Sequence, residues 1–234
     1  MPPARLAPID AVVFDAYGTL FDVNSAAARW REALGPQADA FSATWRRKQL
    51  EYSWLRSLMG AHADFWRVTT EALDYACEWH GIADTTLRER LLRTYRELSA
   101  YPEVPAMLQA LRAGDFRMAI LSNGAPDMLR AAVEAAGLAA QFDALLSVEE
   151  VGIFKPHPSV YRLAVERLGI SARRICFVTS NGWDIAGASH FGFRAIWVNR
   201  GREPRERLPA GPEIELGDLA ALPQCVARSQ RWKT

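Results

Sequence analysis

Four polar clusters in this sequence stand where runs of apolar residues stop. Asp15 and Thr19 follow Ala11, Val12, Val13 and Phe14; Ser122 and Asn123 end RMAILSN; Lys155 precedes Pro156; Thr179, Asn181 and Asp184 lie in TSNGWD, after ICFV. A carboxylate such as Asp15 is a nucleophile only while ionised, and an ammonium such as Lys155 beside it favours that form. Asp184 adds a second acid for general acid–base work. Gly18 permits a tight turn directly after Tyr17 and brings the Thr19 hydroxyl back towards Asp15.

These groups meet only if the elements carrying them share an edge. The run at Ala11 to Phe14 has no polar alternation, so it suits a central strand of a parallel sheet covered on both faces. Ligands of such sheets bind beyond the carboxyl ends of the strands, which is where Asp15 would sit. Further strands are expected at Arg117 to Ser122, Ala144 to Ser147, Ile175 to Thr179 and Arg194 to Val198, alternating with amphipathic helices. Repeated strand-helix units imply right-handed crossovers and helices on both faces. Residues 24–99 differ. They hold no β-like run, and their apolar residues recur at helical spacing, with Phe41, Trp45, Trp54, Leu55, Leu58 and Met59 on one long helix and Leu87, Leu91, Leu92, Tyr95 and Leu98 on another. Pro102 and Pro105 close this all-helical insert, which leaves the sheet after its first strand and returns before its second.

At 234 residues the chain can bury one sizeable core plus an insertion, and its formal charge of +1 gives no sign of a nucleic-acid or membrane partner. The basic runs Arg46 to Lys48 and Arg228 to Lys233 fit solvated surface. Cys77, Cys176 and Cys225 are odd in number and widely spaced, which argues against a disulfide framework or a zinc site and for a reducing cytoplasm. The four histidines have no metal-ligand spacing, there is no nucleotide fingerprint, and no segment has the roughly 18 uninterrupted apolar residues of a membrane span.

The stretches FDAYGTLFDV, WRRKQLEYSWLRSLMG, LSNG, FKPHPSVY and SNGWD resemble the haloacid dehalogenase superfamily over nearly the whole chain, and within it the type II (S)-2-haloacid dehalogenases. The resemblance implies an α/β fold: a Rossmann-like core of parallel sheet and flanking helices, residues 1–23 and 100–234, bearing a helical cap, residues 24–99. It implies hydrolysis of (S)-2-haloacids to (R)-2-hydroxyacids through an ester on Asp15, without metal or organic cofactor, in a homodimer. Asp15 would expel halide from the substrate carbon, and water would then cleave the ester. Thr19 would support Asp15, and Asp184 with Asn181, Thr179 and Lys155 would position that water. Ser122 and Asn123 would hold the substrate carboxylate, and Arg46 would receive the halide. Tyr17, Leu50, Phe65 and Trp183 would line an apolar pocket for the alkyl group. Tyr161 matches the family tyrosine after the lysine motif, as a substrate contact or a brace for Arg46 or Lys155.

Chemistry selects the branch within that superfamily. Its phosphatases carry a second Asp two positions after the nucleophile to protonate an alkoxide; here that position is Tyr17, a poor acid at neutral pH. A halide leaving group needs no such acid. The acidic loop keeps only Asp184, with Ser180 and Asn181 neutral, so a magnesium cage looks dismantled. A monoanionic substrate about 4 Å from ionised Asp15 is repelled by roughly 4 kcal/mol at an effective dielectric near 20, which Lys155 and Arg46 can offset. Thr179 and Arg47 depart from the family's usual Ser and Gln. The rival readings are a magnesium-dependent phosphatase acting on small esters, against which Tyr17 and Ser180 speak, and a binding protein that kept the fold alone, against which the Asp15, Lys155 and Asp184 set speaks.

Overall fold

The computed structural model describes residues 5–23, 25 and 29–226. The basic run Arg228 to Lys233, and positions 24 and 26–28 of the helical segment, lie outside them. Strand β1 (Ala11–Phe14) is wholly buried, as an uninterrupted apolar run requires. It is followed by α1 (Arg31–Leu34), α2 (Ala38–Met59), α3 (Phe65–His80) and α4 (Thr85–Arg96). The chain then alternates through α5 (Val104–Ala113), β2 (Arg117–Ser122), α6 (Pro126–Ala135), β3 (Ala144–Ser147), α7 (Pro158–Leu168), β4 (Ile175–Thr179), α8 (Gly182–Phe191), β5 (Arg194–Val198), β6 (Ile214–Leu216) and α9 (Leu222–Cys225).

Among the described residues the strands form one sheet in the order β3-β2-β1-β4-β5-β6, and every pairing is parallel. The order reverses at β1, between β2 and β4, and Phe14 stands opposite both Ile120 and Val178. The residues that follow these three strands therefore converge on one crevice, where sheets of this kind bind ligands.

Local chemistry explains the helical segment. Asp64 caps α3 by accepting Arg67 N–H at 2.9 Å, and Asp84 caps α4 by accepting the N–H groups of Thr86 and Leu87. Helix α2 ends at Gly60 in the left-handed conformation. Phe41 and Trp45 of α2 are buried, but the expected apolar face does not continue: Leu55, Leu58 and Met59 are 49%, 84% and 68% exposed. The second half of α2 buries Ser53 and bonds Ser57 to Phe154 on one face, and Leu55, Leu58 and Met59 lie on the other, towards solvent. Strand β6 was not expected from the sequence; its three residues follow a stretch rich in Pro, Arg and Glu. All three cysteines are buried free thiols, and no helix among the described residues is long and apolar enough to cross a membrane.

Candidate active site

Beyond β1 the chain turns sharply. Gly18 adopts φ of +87°, its N–H donates to Phe21 O at 2.7 Å, and a β-carbon there would stand 3.2 Å from Ser180 Oγ, so both conformation and space call for glycine. The turn folds Thr19 over Asp15. Thr19 Oγ1 donates to Asp15 Oδ2 at 3.1 Å and accepts Ser180 N–H at 2.8 Å, which ties the first strand end to the fourth.

Asp15, Lys155 and Asp184 form a buried ionic triad. Lys155 Nζ donates to Asp15 Oδ1 at 3.1 Å and to Asp184 Oδ2 at 2.9 Å, and it lies 4.9 Å from the centre of the Phe177 ring. Burial alone would pull the lysine pKa down, but the two carboxylates outweigh it and leave it raised, so Lys155 stays cationic at neutral pH. The triad carries two acids for one base, and the deeper acid bears the cost. Burial first, then the charge of Asp15, raise the pKa of Asp184 against the opposing pull of Lys155 and Tyr161.

The two oxygens of Asp15 differ. Oδ2 accepts from Thr19 at 3.1 Å, Asn181 Nδ2 at 3.0 Å and Thr179 Oγ1 at 3.4 Å, whereas Oδ1 accepts only from Lys155 among the described residues. Asn181 also accepts from Arg46 Nη2 at 3.4 Å, so the arginine of α2 reaches Asp15 through one amide. Leu50 and Trp183 line, with Arg46 and Asn181, a cavity of about 400 Å³ that none of the triad lines; Asn181, bonded to Asp15, connects the two. Trp183 meets Trp54 of α2 edge-on at 5.3 Å.

Tyr17 is fully buried, stacked on Tyr95 at 5.8 Å and 6.3 Å from Phe65. Burial, with Tyr95 and the charge of Asp15 adding to it, holds its phenol well above the ordinary pKa. It is a neutral side chain, unsuited to act as an acid, and its hydroxyl has no hydrogen-bond partner among the described residues. Gly124 makes room for the ring: a β-carbon there would come within 2.6 Å of Tyr17 Cε2.

Other expected residues have specific neighbours. Ser122 Oγ accepts Gly124 N–H at 3.0 Å, which shapes the turn into α6. Asn123 Oδ1 accepts Lys155 N–H at 3.0 Å, so it seats the lysine loop. Tyr161 differs from expectation: its hydroxyl donates to Asp184 Oδ1 at 2.8 Å, and it packs among Phe177, Phe191 and Phe193 behind the acid, braced against neither Arg46 nor Lys155. Arg200, not singled out in the sequence, donates to Thr19 O at 3.1 Å and pairs with Glu103 at 2.7 Å. Its position just after β5, at the strand-end edge, was the signal that could have found it. Among the described residues no group of three or more His, Cys, Asp or Glu side chains is placed to hold a metal ion.

The family model of haloacid dehalogenase-like hydrolases matches residues 9–192. The chain belongs to that family. Among its relatives, (S)-2-haloacid dehalogenase 1 of Pseudomonas sp. (strain CBS-3) is 49% identical over 222 residues, covering 94% of this chain and 98% of the relative. The (S)-2-haloacid dehalogenase of Xanthobacter autotrophicus is 48% identical over 97% of this chain and 87% of its own length. A solved L-2-haloacid dehalogenase from Xanthobacter autotrophicus with chloropropionic acid covalently bound superposes with a TM-score of 0.85 at 41% identity, over 92% of this chain and 97% of that one. A dehalogenase solved with an intermediate complex gives 0.93 at 42% identity, over 96% and 100%. In this haloacid dehalogenase-like hydrolase the crevice at the sheet's reversal point, between β2, β1 and β4, is thus occupied by the clusters first picked out in sequence.

Proposed function

We propose that this chain hydrolyses (S)-2-haloacids to (R)-2-hydroxyacids through an ester on Asp15. The observation that carries the reading is the triad, in which one buried ammonium serves two acids whose other side-chain partners among the described residues are the neutral Thr19, Thr179, Asn181 and Tyr161. Asp15 Oδ1, with a single donor, attacks the halogen-bearing carbon in line, inverts it and expels halide, which passes to Arg46. Ser122 and Asn123 hold the substrate carboxylate, while Tyr17, Leu50, Phe65 and Trp183 surround its alkyl group. The ester's carbonyl oxygen is then Oδ2. Water, positioned by Asp184, attacks the ester carbonyl carbon, and the charge that develops on Oδ2 falls on the donors Thr19, Asn181 and Thr179. Asp184 takes the water's proton as it attacks, and collapse breaks the bond between the acyl carbon and the substrate oxygen, which receives that proton as the Asp15 carboxylate is restored and the hydroxyacid leaves. The relative with covalently bound chloropropionic acid supports such an intermediate.

In this reading residues 1–23 and 100–234 are the catalytic core and residues 24–99 the cap. The protein works in the cytoplasm as a homodimer, which would cover Leu55, Leu58 and Met59; light scattering tests the assembly. Activity is tested with (S)-2-chloropropionate plus EDTA, where chloride release is expected to persist. Phosphate release that requires Mg²⁺, with no halide, would replace the reading by a phosphatase. A single turnover in ¹⁸O water with enzyme in excess should put the label in Asp15; label only in the hydroxyacid would mean direct attack by water.

A further inference from the structure

Asp15 is 6% exposed, so the helices over it must part before an acid can reach it. One seam between these helices and the sheet domain joins Arg46 to Asn181 and Trp54 to Trp183. Another lies on the lysine side and uses none of the residues given a role above except Phe65. We infer that Glu149 and His62 are positioning residues there, fastening the start of α3 to the loop that carries Lys155 and so holding the cap closed over bound substrate.

Glu149 follows β3 and reaches across with both oxygens. Oε2 meets His62 Nε2 at 2.9 Å, and Oε1 accepts Phe65 N–H at 3.3 Å in the first turn of α3, where the helix dipole also favours a carboxylate. The His62 and Glu149 side chains are only 25% and 21% exposed, so solvent does not dilute the contact as it would a surface pair. His62 Nδ1 is buried without a partner among the described residues, where Glu149 is the polar anchor of the ring. Between the two strands of this clasp sits Phe154, its ring 4.9 Å from His62 and 6.0 Å from Phe65. Its N–H donates to Ser57 Oγ of α2 at 3.2 Å, and the next residue is Lys155. Phe65 in turn faces Tyr17. Releasing the clasp therefore loosens the cap on the lysine loop, leaving the Phe154 N–H to Ser57 bond and the Phe65 ring contact to hold it, while Asp15, Lys155 and Asp184 stay bonded to one another.

A ligand that binds the closed form loses apparent affinity in proportion to the closed fraction. Loss of one hydrogen bond to a charged group is expected to raise KM about tenfold, with the rate at saturation within about twofold. His62→Ala should show this rise, Glu149→Ala, which also loses the Phe65 N–H bond, at least as large a one, and the double variant no more than Glu149→Ala, because His62 acts through Glu149. His62→Gln, which can place an N–H near the Nε2 position, should return KM towards that of the parent. These kinetics rest on the dehalogenase reading, with (S)-2-chloropropionate as substrate and halide as the readout. Hydrogen exchange does not: the Phe65 and Phe154 amides should exchange at least tenfold faster in His62→Ala than in the parent, and near the parent rate in His62→Gln. If the alanine variants fail to fold, His62→Phe, which keeps a ring but has no N–H, supplies the disrupted case and His62→Gln the restored one. Unchanged KM and exchange in folded variants, a fall in kcat with KM unmoved, or His62→Gln behaving as His62→Ala would overturn the inference. A parent that releases no halide would sink the dehalogenase reading alone, leaving exchange to decide the clasp.

Discussion

Replacing Lys155 by Met removes the cation shared by two buried acids, and the size of the effect follows from the distances. Its Nζ bridges Asp15 Oδ1 at 3.1 Å and Asp184 Oδ2 at 2.9 Å, so those oxygens are no more than about 6 Å apart. Two unit charges at that separation repel by roughly 3 kcal/mol at an effective dielectric near 20. Removing one partner of a buried pair costs about 3–5 kcal/mol, so both routes agree. The sign with pH is definite. In the parent the raised folded-state pKa of Lys155 means its stabilisation is present at all pH below the unfolded lysine value and is lost only as pH rises through the folded one. In Lys155→Met the uncompensated acids hold a proton in the folded state that the unfolded chain has released, so stability missing at pH 8 returns on acidification. Urea unfolding should show a gap of about 3 kcal/mol at pH 8 that narrows by roughly half or more at pH 5. Adding Asp184→Asn should recover most of the gap at pH 8, but not activity. Halide release should fall about a hundredfold or more, the rate equivalent of that energy. A stability gap equal at both pH values would refute the electrostatic account of the triad.

Tyr17→Phe deletes a buried hydroxyl without a partner, so stability in urea should hold or rise by about 1 kcal/mol, and the shape of the pH–rate profile should not change. A lost basic limb would instead make the phenol a proton donor. Tyr161→Phe removes a donor that favours ionised Asp184, whose pKa is already raised; the acid limb of ester hydrolysis should move to higher pH, seen as ester accumulating in rapid-quench mass spectra on mild acidification.

Strands β1 to β5 were legible because each is an apolar run whose ends are marked by a charge, a turn or a proline. Strand β6 was not, since three residues with Glu215 between Ile214 and Leu216 give no period to read. The convergence of Asp15, Lys155 and Asp184 followed from parallel topology alone. What escaped depended on docking between segments far apart in sequence: Tyr161 behind Asp184, Arg200 on the Thr19 carbonyl, and the His62, Glu149 and Phe154 cluster. Those residues are ordinary loop and helix types, and periodicity carries no trace of which partner they meet. Leu55, Leu58 and Met59 failed in the opposite sense, having the spacing of a buried face but lying on the side of α2 left in solvent.

The sharing of one ammonium has a temporal consequence. Before alkylation Lys155 divides its charge between two carboxylates, and burial together with the charge of Asp15 raises the pKa of Asp184. An esterified Asp15 carries no charge, so its repulsion of Asp184 disappears and the lysine is left to that acid alone. The residue that handles water thereby ionises more readily once the event that creates a need for water has taken place. In this way the first half-reaction favours the second.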